Sequence, residues 1–119
     1  MRLLTSAATT AALLALVGCG ERSKLFSPQD AKDAFAKEGF VLVPMFPHQP
    51  RVLVPKSAEP FTVVVARTTA EAKDAYRTLH RQSTRQTFDL RARNVITTSD
   101  AGLTEADRLR LRRAMRHLR

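Results

Sequence analysis

Apolar and polar positions fall into short blocks whose period changes along the chain, and each change marks an element. Ser27-Pro28-Gln29-Asp30 has the chemistry of a helix entry. Ser27 caps, Pro28 takes the first helical position, Asp30 stands where it can bond back to the cap, and Phe26 is placed to pack on Ala31. Ala31, Ala34 and Phe35 follow as one narrow stripe fit to lie on a sheet, and Gly39 ends the helix. Phe40–Val43 and Arg51–Val54 predict two strands, each stopped by a proline, Pro44 or Pro55, with Pro47-His48-Gln49-Pro50 turning between them. The continuous Thr-Val-Val-Val run in Phe61–Ala66 predicts a central strand or one buried on both faces.

Beyond that strand, Thr68 and Glu71 form a capping box for a second helix whose apolar positions are Ala72, Ala75, Tyr76 and Leu79. Phe88–Thr98 reads as one extended strand centred on Val95-Ile96, with Asn94 as a bulge. Ser99–Gly102 is turn chemistry. Thr104 opens the last helix, Asp107 takes the reciprocal capping position, and Leu111, Ala114, Met115 and Leu118 form its buried stripe. The order α-β-β-β-α-β-α predicts an α+β two-layer sandwich: a mixed four-stranded sheet with its helices packed on one face, forming a single domain over 26–119.

Ahead of this domain lies a different pattern. Leu3–Val17 is a run of 15 uncharged residues rich in Ala and Leu, preceded by Arg2. It is short for a membrane span, which takes about 20 mostly apolar residues, and it has neither the polar face nor the N-cap of a core helix. Charged start, apolar middle and small residue follow the order of an export signal. The run closes on Leu16-Val17-Gly18-Cys19, which resembles the lipobox of bacterial lipoproteins. The resemblance implies cleavage between Gly18 and Cys19, with a diacylglyceryl group on the Cys19 thiol and membrane attachment on the extracytoplasmic face. Residues 1–18 are then a signal peptide and 19–25 a lipidated cysteine with a short tether. Gly20–Leu25, fully extended at about 3.3 Å per residue, spans on the order of 20 Å, which keeps the domain close to the bilayer. Cys19 is the only cysteine, so no disulfide is expected and an ordinary apolar core must supply the stability.

The formal charge of +9 is uneven. From Cys19 to Tyr76 there are 8 Lys/Arg against 7 acids; from Arg77 to Arg119 there are 11 Arg against 4. At 100° per residue from Leu111, the last helix turns Arg112, Arg113, Arg116 and Arg119 outward, between about 80° and 200°, with Leu109 among them near 160°. Arg91 and Arg93 share one side of the preceding strand and extend this face. The segment from Arg91 to Met115 loosely resembles the C-terminal part of small actinobacterial lipoproteins, a resemblance that implies no site.

Dispersed chemistry narrows the remaining choices. His48, His80 and His117 have no metal-ligand spacing; Ser83, His80 and Asp89 lack a nucleophile turn; and four scattered glycines make no phosphate loop. No cofactor, metal or catalytic residue is expected. The sequence therefore predicts a membrane-anchored binding or envelope-associated module whose basic helix meets anionic lipid, an envelope polymer or an acidic protein partner. Solvation of a charged face is the plain alternative. Nucleic acid, the usual inference from a pI near 11.0, would return only for a cytoplasmic chain with an unmodified Cys19. A small extracytoplasmic enzyme with an unrecognised site is the other class left open.

Overall fold

Every predicted cap forms. The computed structural model describes residues 25–82, 88–100 and 102–118. These make helices α1 (Pro28–Ala36), α2 (Thr69–Gln82) and α3 (Glu105–Arg116), and strands β1 (Leu42–Phe46), β2 (Gln49–Pro55), β3 (Phe61–Val65), β4 (Phe88–Ala92) and β5 (Val95–Ser99). The Ser27 hydroxyl accepts from the Asp30 N–H while the Asp30 carboxylate accepts from the Ser27 N–H. Thr68 and Thr104 likewise cap α2 and α3 by accepting from the N–H groups of Glu71 and Asp107. Only the return bonds differ. Glu71 accepts from the Arg67 N–H instead of the cap, and Asp107 pairs with Arg110.

The sheet corrects the expected topology. Its five strands lie in the order β1-β2-β3-β5-β4, and every neighbouring pair is antiparallel. Phe88–Thr98 is not one strand: β4 and β5 form a hairpin with Ala92 opposite Val95, and Asn94 sits in the two-residue turn instead of forming a bulge. β3 and β4, joined through α2, run parallel as a crossover predicts. β5 inserts between them, so no parallel pair ever becomes adjacent.

Pro44 also fails to stop its strand, whereas Pro55 ends β2 as expected; Pro50, expected in the turn, lies inside β2. β1 is an edge strand with one neighbour and slips register between Pro44 and Phe46. Pro50 precedes the part of β2 that pairs with β3, which begins at Val52. In both places a missing N–H removes little ladder bonding.

The helices cover both faces, not one. Val95 packs with Ala31, Ala34, Phe35, Leu53, Val63, Leu111 and Ala114 beneath α1 and α3. Its neighbour Ile96 packs with Ala66, Ala72, Tyr76 and Leu79 of the α2 region. Consecutive strand residues point to opposite faces, so α2 lies across the sheet from the other two helices. Ala75, counted among the apolar positions of α2, is exposed. On the larger side Phe35, Phe40 and Phe61 form a ring cluster with centroids 5.0 to 6.2 Å apart. No helix among the described residues is long and apolar enough to cross a membrane.

The chain enters the domain through one buried side chain. Asn94 Nδ2 donates to the carbonyls of Phe26 and Ala66, each at 2.8 Å, and Asn94 Oδ1 accepts from the Phe26 N–H at 2.8 Å. Arg93, beside it in the turn, takes φ 53°, the left-handed region.

Candidate functional site

Because Leu111, Ala114 and Met115 face the core, α3 turns its arginines outward along two flanks that meet different neighbours. On the flank toward α1, Glu38 gathers them. Arg113 Nε donates to Glu38 Oε1 at 2.8 Å, and His117 Nε2 lies 3.0 Å from Oε2. Arg110 donates through Nε and Nη2 to the Glu38 carbonyl, at 3.0 and 2.7 Å, with its guanidinium 4.0 Å over the Phe40 ring. The bond from Arg113, and after it the one from His117, holds the Glu38 carboxyl below its ordinary range. Gly39 closes α1 here with φ 87°, and a Cβ on it would stand 2.9 Å from Arg110 Nη2.

On the flank toward β4 Glu105 pairs with Arg108 at 3.7 Å, and no acid among the described residues takes the place of Glu38 beside Arg112 and Arg116. Arg112 and Arg116 form no ion pair among the described residues, and with Arg91 and Arg93 they line an open groove of about 780 Å³ between β4 and α3. Its apolar lining is Leu90, Ala92, Met115 and Leu118. The Phe88 ring at the far end of β4 carries two guanidinium groups, Arg112 at 5.1 Å and Arg108 at 5.4 Å. At the other end the Arg93 guanidinium lies 5.7 Å over Phe26. Arg112 and Arg116 are four apart on the helix, an arrangement of like charges that costs a few tenths of a kcal/mol until an anion separates them. The groove can therefore hold an anionic group against an apolar floor, with arginine as the residue best suited to oxyanions.

The residues expected to form the anion-binding face and the anchor divide accordingly. Arg112 and Arg116 come together in the groove. Arg113 is drawn away to Glu38. Leu109, 42% exposed, stays on the outer surface between the two flanks. Arg119, Gly18 and Cys19 lie outside the described residues. Nothing local in the sequence points to Glu38, because its partners stand 75 and 79 positions away. The groove floor is readable in part, since Phe88, Leu90 and Ala92 alternate with polar residues down to Arg93.

The other candidate chemistry is described only in part. Ser83 and the side chain of His80 lie outside the described set, and Asp89 accepts from Thr98 at 2.7 Å. His48 is exposed in the β1–β2 turn. Among the described residues no three His, Cys, Asp or Glu side chains gather as a metal site. What fold and site define together is an α+β domain with an arginine-lined surface groove. No family model, curated protein or solved structure matches the chain.

Proposed function

We propose that the chain is a lipid-anchored, extracytoplasmic binding module, attached at Cys19, whose β4–α3 groove receives the anionic headgroups of the membrane that carries it. The observation that carries this reading is the pair Arg112 and Arg116, held without an acidic partner among the described residues above an apolar floor, while their neighbour Arg113 is neutralised by Glu38. Position adds support. Phe26, six residues after Gly20, is fixed at the Asn94 turn, so a short tether from Cys19 would leave the domain at the Arg93 end of the groove.

Both core clusters are built from residues between Phe26 and Leu118, so a protein beginning at Gly20 retains the whole described core. It should bind vesicles containing phosphatidylglycerol and spare neutral ones, with affinity falling as the Debye length shrinks from about 30 Å at 0.01 M salt to 8 Å at 0.15 M. Arg112→Gln with Arg116→Gln should remove most of that binding, and Arg113→Gln little of it. Equal binding to both vesicle types, or none at low salt, would overturn the reading. The intact mass of the mature protein tests the anchor separately: a first residue other than Cys19, or an unmodified Cys19, rejects it.

A further inference from the structure

We infer that the tip of the β1–β2 hairpin is a second membrane contact, seating Met45 and Phe46 in the interfacial layer of the bilayer to which the tether leads. The inference rests on the anchored reading above, but it concerns different residues.

Strand register places the tip. Val52 opposes Val64 and Leu53 opposes Val63, so β2 residues ahead of Val52 run past the Val65 end of the central strand. Arg51 marks the overrun: its Nη1 donates to the carbonyls of Val65 and Ala66, at 3.1 and 3.3 Å. Phe46 pairs with Gln49 beyond that point, and Pro47-His48 close the hairpin. Val65 opposes Val95, which follows the Asn94 turn, and Asn94 holds Phe26. The hairpin tip and the point where the chain enters therefore share one end of the sheet.

Three of the five large apolar side chains exposed among the described residues gather at this end, while Val41, beside Lys56, lies at the opposite end and Leu109 on α3. Leu25, Met45 and Phe46, each about half exposed at 49, 49 and 48%, lie at this end. All of residues 44–50 are exposed, so the tip contributes nothing to either core cluster. Arg67, Arg93 and Arg116 are exposed around the same end, where arginines can meet an anionic headgroup layer. Three acids lie near this end as well, each already accepting a hydrogen bond: Asp30 from the Ser27 N–H, Asp33 from Gln29 and Glu71 from the Arg67 N–H. With Leu25 no more than about 20 Å of extended chain from Cys19, an acylated N-terminus holds this end against the bilayer, and half-exposed Met and Phe side chains gain by leaving water there.

The test uses the lipidated protein in phosphatidylcholine–phosphatidylglycerol vesicles. Acylation of the only cysteine, checked by intact mass on the same sample, leaves no competing thiol. A fluorophore is placed at the tip through His48→Cys or at the opposite end through Ser57→Cys, and quenching by nitroxide-bearing lipid is compared. The tip probe should be quenched several-fold more than the Ser57 probe. Adding Met45→Ser and Phe46→Ser should bring it down to that level with an unchanged urea midpoint, and should weaken vesicle binding of the Gly20 form roughly tenfold. Equal quenching at the two ends overturns the inference. So does a monomer–dimer shift on Met45→Ser and Phe46→Ser without loss of quenching, which would make the tip a contact between copies. A failed mass test removes the anchor but leaves the binding of the Gly20 form to decide the tip.

Discussion

The two flanks of α3 carry the same residue type and behave oppositely. Arg110 and Arg113 are engaged by Glu38, joining the helix to the end of α1 through a carbonyl, a carboxylate and an aromatic ring. Arg112 and Arg116 stand on the other flank of the same helix, facing β4, and have no acidic partner among the described residues. The lesson is that a cationic helix face is not one surface. What each arginine does is set by the element it leans toward, and a net charge cannot tell structural arginines from available ones.

Breaking the structural flank should have the largest effect. Arg110→Ala leaves the Glu38 carbonyl without two donors and the Phe40 ring without its cation, and should cost about 2 to 3 kcal/mol in urea unfolding. A loss under about 0.5 kcal/mol would show that this flank is as dispensable as the other. Gly39→Ala, strained at its φ and pressing on the same guanidinium, should cost about 1 to 2 kcal/mol in the same measurement.

Acid titration sharpens the contrast further. The Glu38 carboxyl is held below its ordinary value of 4.5 by Arg113 and then His117. A depressed carboxylate contributes stability above its unfolded value and loses it as pH falls through the lower folded one. The contribution should therefore be complete at neutral pH and disappear below about 4.5; Glu38→Gln should flatten that part of the stability curve. An unchanged acid limb would remove Glu38 from the account. Smallest of all, Arg112→Gln should change stability in urea unfolding by no more than about 0.5 to 1 kcal/mol, its cation–π contact with Phe88 included.

What could be read from the sequence follows the range of the interaction that decides it. The caps at Ser27, Thr68 and Thr104 are settled within three or four residues, and all three were legible. The β4–β5 hairpin was not, because its turn is Arg93-Asn94, without glycine, and Arg93 takes its left-handed φ where the usual turn signal is absent. Helix placement was hidden for a related reason. Val95 and Ile96 are both apolar, so the pattern shows burial on two faces without saying which helix covers which. The outward face of α3 followed from helical geometry alone, while its division into two flanks waited on Glu38, whose distance along the chain leaves no local trace.

Asn94 gives the molecule a mechanical property as well. Tension arriving along the residues before Leu25 meets the Asn94–Phe26 hydrogen bonds before it can unwind the first turn of α1. Since Asn94 also grips the Ala66 carbonyl, and the Ala66 N–H donates to the Asn94 carbonyl, the load passes into the β3–β5 pair at the middle of the sheet. A pull on the chain at Leu25 would thus be shared by the central strands before any helix has to give.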